Sequence, residues 1–286
     1  FVPHKDRWIE QGKVDRDAWN KAGEAGLLCA EIPAQYGGGG GDYRHETIVT
    51  EEQLGAGISG FGNQVHSQIV APYLLHYGNE EQKQKWLPKM ATGEMVGAIA
   101  MTEPNTGSDL QNVKTSATKK GDSYVINGAK TYITNGIHAD LVVLVAKTDP
   151  NLGAKGISLI MVEANTKGFN KGRNLKKLGL NSGDTAELFF DDCVVPKANL
   201  LGPEEGKGFI QLMQQLPQER LSLAQGAVVE TERALAMTLD FVKQRKAFGQ
   251  RILDFQNTKF KLAECKTEAL IGRTFVDQCL IKHLDG

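Results

Sequence analysis

The stretch 96-VGAIAMTEPNTGSD-109 contains the point at which the hydrophobic pattern of the chain changes from helical to extended. Between Trp8 and about Met90, apolar residues recur at spacings of three and four, which is typical of amphipathic helices. Beyond residue 96, short β-branched apolar runs are separated by turns rich in Gly, Asn and Asp. The change of period predicts a helical domain over residues 1–95 and a β domain over residues 96–203.

The predicted β domain consists of apolar runs that follow one another at intervals of about ten to twenty residues. The runs are 96-VGAIAM-101, 123-SYVING-128, 131-TYIT-134, 140-DLVVLVA-146, 156-GISLIMVE-163 and 186-AELFF-190. Such intervals lack the intervening helices of βαβ units, so a doubly wound nucleotide-binding fold is disfavoured. The sequence therefore predicts an antiparallel β domain.

The helical period returns after 202-GPEEGKG-208 and predicts a third domain over residues 204–286. Four apolar residues of this domain recur every seven positions, as on a bundle helix: Phe255, Leu262, Ala269 and Val276. The sequence begins with Phe1 and stops within a helical pattern at 275-FVDQCLIKHLDG-286. We therefore expect both ends to be trimmed and the bundle to be incomplete.

Composition argues against several functional classes. The 33 Lys and Arg residues nearly balance the 34 Asp and Glu residues, so nucleic acid is not an expected partner. The longest apolar stretches, such as 139-ADLVVLVA-146, fall far short of the ~20 residues that cross a bilayer, so no integral membrane segment is expected. The four cysteines form no C-x-x-C pair and no two histidines lie four residues apart, so neither a metal site nor a disulfide framework is expected. A reducing intracellular compartment fits this cysteine usage.

Two segments of the β domain carry candidate ligand-binding groups. The segment 102-TEPNTGSD-109 follows a strand and offers hydroxyls and backbone amides to an oxygen-rich ligand, although an ordinary polar turn has the same composition. The segment 130-KTYITNG-136 places Tyr132 and Thr134 on one face of a strand. A ring and a hydroxyl could there approach a planar heterocycle, but any half-buried strand shows the same alternation.

Two segments of the third domain carry charged candidates. In 245-RKAFGQ-250 a basic pair precedes an aromatic residue, and Gln256 follows, which makes an anion-binding patch feasible. A solvated helix end explains these charges equally well. In 216-LPQERL-221, Glu219 follows Pro217 by two residues, so it is expected in the first turn of a helix started by the proline. The helix dipole alone could account for a glutamate there.

Taken together, four motifs in this order and spacing resemble the acyl-CoA dehydrogenase family. They are 98-AIAMTEPNTGSDL-110, 127-NGAKTYITNG-136, 183-GDTAELFFDDCVVP-196 and 243-KQRKAFGQ-250. The resemblance covers essentially the whole chain, and 216-LPQERL-221 is most similar to the long-chain branch of that family. It implies a multi-domain α and β fold with an N-terminal α-helical domain, a middle β-barrel domain and a C-terminal four-helix bundle.

The resemblance also implies FAD, held between the β domain, the last bundle and a neighbouring subunit. Residues implied to line the flavin and the thioester end of the substrate are Met101, Thr102, Gly107 and Ser108. Residues implied to cover the flavin ring are Tyr132, Ile133 and Thr134. Residues implied to reach the FAD of a partner subunit are Arg245, Phe248 and Gln256. Ser108 and Arg220 are expected to contact the substrate, and no metal is implied.

The implied reaction is the dehydrogenation of a fatty acyl-CoA in β-oxidation. A carboxylate removes the α-proton and the β-hydrogen leaves as hydride to the flavin, which gives the trans-2-enoyl-CoA. Most branches carry that carboxylate near the end of the chain, whereas the long-chain and isovaleryl branches resemble this sequence in carrying it within a bundle helix, as Glu219. The implied partners are an electron-transfer flavoprotein and further copies of the chain in a homotetramer, a dimer of dimers. The implied location is the mitochondrial matrix in a eukaryote or the cytoplasm in a bacterium.

Two alternatives share this fold. An acyl-CoA oxidase would catalyse the same first half-reaction and then let oxygen reoxidise the flavin. A non-catalytic relative would keep the fold as an acyl-binding or assembly module, and its mark would be a lost base or a damaged flavin loop. The motif 102-TEP-104, Ser108, Thr134, Arg245 and Glu219 are all present, which favours an enzyme.

Overall fold

The computed structural model describes residues 1–285, and its N-terminal part is helical, as the sequence predicts. The helices are α1 (Lys5–Gln11), α2 (Arg16–Glu24), α3 (Tyr43–Gly55), a π-helical segment (Gln64–Val70), α4 (Ala71–Tyr77) and α5 (Glu80–Ala91). The π-helical segment runs directly into α4, so the two form one continuous helix that extends towards the third domain. This helix carries Tyr73, whose hydroxyl contacts Glu219.

The start of α5 fixes the helical domain to its neighbour. Asn79 Oδ1 accepts from Gln82 N at 2.9 Å, and Gln82 Oε1 accepts from Asn79 N at 3.0 Å. This reciprocal pair forms a capping box. Gln82 Nε2 also donates to Ala198 O and Leu200 O at 2.8 and 2.9 Å, so the capping side chain joins α5 to the β domain.

The middle domain is one curled sheet with the strand order β1-β4-β2-β3-β7-β6 and with β5 paired to β4. Its strands are β1 (Gly97–Ala100), β2 (Ser116–Lys120), β3 (Ser123–Thr134), β4 (Leu141–Lys147), β5 (Ile157–Glu163), β6 (Phe169–Asn174) and β7 (Thr185–Pro196). Most strand pairs are antiparallel, as predicted, but β1 pairs with β4 in parallel. The chain forms the β2–β3 hairpin between these two strands, and this long crossover permits a parallel pairing.

Strand β4 joins the cores of two domains, because successive side chains of a strand point to opposite faces. Leu141, Val143 and Val145 pack into a cluster shared with α4 and α5. The alternate residues Val142 and Leu144 pack into the core of the β domain. All five are fully buried, and burying a Val or Leu side chain contributes about 1.5–3 kcal/mol. Both faces are covered, which explains the continuous apolar run in the sequence.

The third domain consists of α6 (Gly208–Gln244), a short hairpin of β8 (Lys246–Ala247) and β9 (Gln250–Arg251), and α7 (Gln256–Asp285). On α7 the heptad residues Ala269 and Val276 are buried, as predicted, and Leu262 is half-buried. Arg273 on α7 contacts Glu232 on α6 at 2.7 Å and also Glu51 on α3, so it ties the bundle to the first domain. Among residues 1–285, no helix combines the length and the apolarity that crossing a bilayer requires.

Candidate active site

The polar segment 102–109 forms a loop at the end of β1, beside β3. Thr131 N donates to Thr102 O at 2.9 Å, which attaches the first residue of the loop to β3. Glu103 and Thr106 exchange backbone hydrogen bonds of 2.9 and 3.1 Å, which close the loop into a tight turn. The loop is therefore fixed at its base.

Four residues of this loop region are expected flavin contacts. Met101 and Thr102 are half-buried at the base, whereas Gly107 and Ser108 are exposed at the tip. A Cβ added to Gly107 would meet no atom within 4 Å. The tip thus offers a hydroxyl and unobstructed backbone to a ligand outside the fold.

A buried ion pair lies at the base of the loop. Lys130 Nζ, fully buried, donates to Glu103 Oε1 at 2.9 Å and to Met101 O at 3.0 Å. Glu103 also accepts from the backbone nitrogens of Lys114 and Thr115, at 2.6 and 2.9 Å. Burial opposes ionisation of Glu103, but the Lys130 charge and the hydrogen bonds outweigh it and lower the Glu103 pKa. Burial lowers the pKa of Lys130 to about 8 even beside Glu103, so both groups are mainly charged at pH 7 and the ion pair holds the loop onto β3.

Strand β3 is irregular where it passes the loop. Its register to β7 shifts between Lys130 and Ile133, and Tyr132 within this bulge adopts a left-handed φ of 58°. Tyr132 is 69% exposed and Thr134 is half-buried. Ile133 lies between them with its side chain in the core of the β domain, so any contact of this residue with a ring has to come from its backbone. Left-handed backbone is strained for tyrosine, and such strain concentrates at functional sites.

Glu219 lies inside α6, about three turns after the first residue of that helix, Gly208. The expectation that Pro217 starts a helix is wrong, because α6 runs through it. The proline lacks the N–H that would bond to Met213 O. Both Pro217 and Met213 are exposed, so water can replace that donor. A helix dipole therefore does not explain Glu219.

The Glu219 side chain is buried and has one hydrogen-bond partner among residues 1–285. Tyr73 Oη on α4, itself fully buried, donates to Glu219 Oε1 at 2.8 Å. Burial raises the pKa of Glu219, and the Tyr73 hydrogen bond and the Arg220 charge only partly oppose that rise. A buried carboxyl with a raised pKa, held by one phenol, is a candidate for a general base.

Of two residues beside Glu219, the sequence predicted one as a site residue and missed the other. Arg220 was expected to contact substrate, and it is exposed and unpaired within residues 1–285. Tyr73 was missed, because it belongs to an apolar helical pattern in which a tyrosine is ordinary core. The only indication in the sequence was the hydroxyl of Tyr73, since a buried tyrosine hydroxyl needs a hydrogen-bond partner.

The three expected partner-subunit contacts surround the hairpin between α6 and α7. Arg245 O accepts from Ile252 N at 2.8 Å, which closes the hairpin, while its guanidinium is exposed. Phe248 is 96% exposed at the turn, and Gln256 begins α7. Within the described 285 residues, no hydrogen bond or ion pair links this hairpin to the loop at 102–109. The expected site residues therefore lie in three separate places. These are the 102–109 loop with the β3 bulge, the contact between Glu219 and Tyr73, and the hairpin between α6 and α7.

Comparison with known proteins gives matches over the whole chain. Three family models match in order: the acyl-CoA dehydrogenase N-terminal domain at residues 1–94, middle domain at 98–193 and C-terminal domain at 206–286. The crystal structure of an acyl-CoA dehydrogenase from Geobacillus kaustophilus is 51% identical and superposes with a TM-score of 0.97, covering 100% of this chain and 75% of that one. The chain belongs to the acyl-CoA dehydrogenase family. The expected order of a helical, a β and a helical domain is confirmed.

Two further family members bear on function. The long-chain specific acyl-CoA dehydrogenase of Sus scrofa, described as mitochondrial, is 49% identical over 284 residues. That match covers 99% of this chain and 66% of the relative, so the chain spans slightly less than two thirds of its length. A glutaryl-CoA dehydrogenase from Mycobacterium smegmatis, solved in complex with FADH2, superposes with a TM-score of 0.91 at 28% identity, covering 100% of this chain and 72% of its own.

Proposed function

We propose that the intact protein is an FAD-dependent acyl-CoA dehydrogenase that converts a straight medium- or long-chain fatty acyl-CoA to the trans-2-enoyl-CoA. The observation that carries the proposal is Glu219, a buried carboxyl whose single hydrogen-bond donor among residues 1–285 is a phenol. The long-chain relative at 49% identity supports the preference for longer acyl chains. We further propose that electrons pass to an electron-transfer flavoprotein, that the protein is a homotetramer, and that it works in a mitochondrial matrix or a bacterial cytoplasm.

Glu219 is proposed to remove the α-proton of the thioester. An ordinary carboxylate is a poor match for so weak an acid, and the raised pKa of Glu219 brings its basicity nearer to that of the carbon. The thioester oxygen also needs hydrogen-bond donors, since charge develops there as the proton leaves. The Glu219 carboxylate and the donors to the thioester oxygen act together in a site from which the apolar acyl chain excludes water.

The loop at 102–109 and the β3 bulge fit a flavin. They combine an exposed aromatic ring at Tyr132, hydroxyls at Ser108 and Thr134, and open backbone at Gly107. These groups are suited to binding a planar heterocycle with polar edges. When bound, FAD supplies the acceptor for the hydride that leaves the β-carbon. The first test is therefore simple: the purified protein should be yellow and should lose that colour when an acyl-CoA is added without oxygen.

Thr134→Val is expected to change the visible spectrum of the bound flavin and to slow its reduction up to about tenfold. The substitution keeps the β-branched shape and removes one hydroxyl, and a neutral hydrogen bond contributes about 0.5–1.5 kcal/mol. Stopped-flow absorbance measures both effects. Thr118→Val, at an exposed threonine of β2, is the control and should leave the spectrum and the rate unchanged. An unaltered spectrum and rate in Thr134→Val would place Thr134 away from the flavin.

Arg245→Ala is expected to weaken FAD retention tenfold or more while leaving the unfolding midpoint of the apoprotein within error of wild type. A guanidinium binds a pyrophosphate through paired charged hydrogen bonds, and the exposed Arg245 side chain makes no hydrogen bond or ion pair within residues 1–285. Titration of apoprotein with FAD, followed by flavin fluorescence, gives the affinity. The neighbouring exposed cation Lys246 provides the control variant Lys246→Ala. Equal FAD affinity in Arg245→Ala and Lys246→Ala would contradict the assignment.

A further inference from the structure

The contact between α4 and α6 places a phenol against the proposed base. Tyr73 lies on α4 with its ring in the apolar cluster between the first two domains, and it has no exposed surface. Its hydroxyl donates to Glu219 Oε1 at 2.8 Å. Glu219 Oε2 has no hydrogen-bond partner among residues 1–285. The two carboxyl oxygens of Glu219 therefore differ in their hydrogen bonding even without substrate.

We propose that Tyr73 is a positioning residue that fixes Glu219 Oε1 and leaves Oε2 as the oxygen that receives the α-proton. The inference rests on the proposed role of Glu219. A phenol has a single proton to donate, so its bond to a carboxylate sets the rotation of the carboxyl about its terminal torsion, which is otherwise broad. A base held in one orientation loses less freedom on the way to the transition state.

The same bond favours the ionised form of Glu219. A hydrogen bond to a charged acceptor is stronger than one to its neutral form, so Tyr73 opposes the rise in the Glu219 pKa that burial causes. Without Tyr73, a larger fraction of Glu219 would be protonated at rest and unable to accept a proton. Tyr73 thus orients the Glu219 carboxyl and favours its ionised form.

Other titratable groups near this contact must be separated from Glu219 in any pH measurement. They are His76 and Tyr77 on α4, His66 on the π-helical segment, Glu46 on α3, Arg220 on α6, His283 on α7 and Glu31 before α3. None of them hydrogen bonds to Glu219. Glu31 accepts from Gln218 Nε2 at 3.0 Å, and burial, with the nearby Glu46 charge, raises the pKa of Glu31 to about 8. Burial also raises the pKa of Glu46 to about 7, so Glu31 and Glu46 both titrate in the range of a catalytic base.

A purely structural role for Tyr73 is the competing explanation, since any buried phenol needs an acceptor. Tyr77 provides a matched comparison one turn along α4. Its hydroxyl donates to Gln214 Oε1 at 3.0 Å on the same helix α6, and its ring lies 6.0 Å from that of Tyr73. The same hydroxyl lies 3.3 Å from Gln211 O and accepts from Gln215 Nε2 at 3.2 Å, so removing it removes α4–α6 hydrogen bonds without touching Glu219.

The test compares Tyr73→Phe with Tyr77→Phe in the intact, FAD-loaded protein. Flavin reduction by palmitoyl-CoA is followed in single turnover as a function of pH. We expect the midpoint of the acid limb to rise by about one to two pH units in Tyr73→Phe, the shift produced by losing a hydrogen bond to a charged group. Tyr77→Phe should leave the midpoint unchanged, and so should Glu31→Gln.

An infrared titration provides a readout that does not depend on turnover. The carboxyl band of Glu219, isolated as the difference from a Glu219→Gln background, should show the same rise of its midpoint in Tyr73→Phe. Superimposable midpoints in wild type and Tyr73→Phe, or an equal shift in Tyr77→Phe, would overturn the proposal. These outcomes are distinct from failure of the proposed function, which would appear as normal flavin reduction by Glu219→Gln whatever residue 73 is.

Discussion

Glu219→Gln in the intact protein is expected to slow reduction of the flavin by an acyl-CoA at least about 10³-fold, within the range for a lost general base. The variant keeps the volume of the side chain, and its amide oxygen can still accept from Tyr73. It should therefore fold, stay yellow and bind acyl-CoA. Stopped-flow absorbance under anaerobic conditions measures the rate, and equilibrium titration measures binding separately.

Glu230→Gln is the matched control for this experiment. Glu230 is a second glutamate of α6 that, unlike the buried Glu219, is only half-buried, and it pairs with Arg233 at 3.4 Å on the same helix. Its replacement should leave the rate of flavin reduction within about twofold of wild type, as expected for a group outside the reaction. Rapid reduction of the flavin in Glu219→Gln would remove Glu219 from the mechanism, because only the basic oxygen is lost.

Lys130→Met is expected to destabilise the protein by about 3–5 kcal/mol, the usual cost of leaving one member of a buried ion pair without its partner. Lys130 is the only cation that contacts Glu103 within residues 1–285, and both side chains are almost completely buried. The loop at 102–109 also loses its bond from Lys130 to Met101 O, so retention of FAD should fall with stability. Urea unfolding followed by tryptophan fluorescence gives the free energy of unfolding.

A double variant separates the charge from the packing. Lys130→Met combined with Glu103→Gln removes both charges but keeps only one acceptor oxygen for the backbone donors of Lys114 and Thr115, so it should recover part of the lost stability. Arg173→Met breaks an exposed pair on the same sheet, with Arg173 77% exposed, and should cost less than about 1 kcal/mol. A loss in Lys130→Met as small as that in Arg173→Met would mean that the buried pair does not hold the loop.

The large-scale organisation could be predicted from the sequence because it depends on local periodicity. The change of pattern near residue 96 reflects a real change from helix to sheet, since the last helix before it ends at Ala91 and the first strand begins at Gly97. Strands β2 and β6 were missed, since SATKK and FNKGRN are mostly polar runs that gain little from burial. Their pairing is fixed by neighbouring strands instead.

The candidate site was harder to predict, because its geometry arises from contacts between distant segments. The sequence identified Glu219 but misplaced it, since a local reading of Pro217 favours a helix start and only the length of α6 corrects it. Tyr73 lies 146 residues from Glu219, and no local pattern connects them. The bulge at Tyr132 likewise depends on the register between β3 and β7, which alternation along one strand does not reveal.

Exchange of the α-hydrogen of a bound acyl-CoA with solvent deuterium tests the role of Glu219 most directly. A 3-thia-acyl-CoA has sulfur in place of the β-carbon, so no hydride can leave and only the proton step remains. In deuterated buffer, the wild-type protein should take the α-proton onto Glu219 and return deuterium, giving a mass increase of the recovered thioester. Glu219→Gln should show exchange at least about 10³-fold slower. Exchange at the wild-type rate in Glu219→Gln, or none in the wild type, would contradict the account.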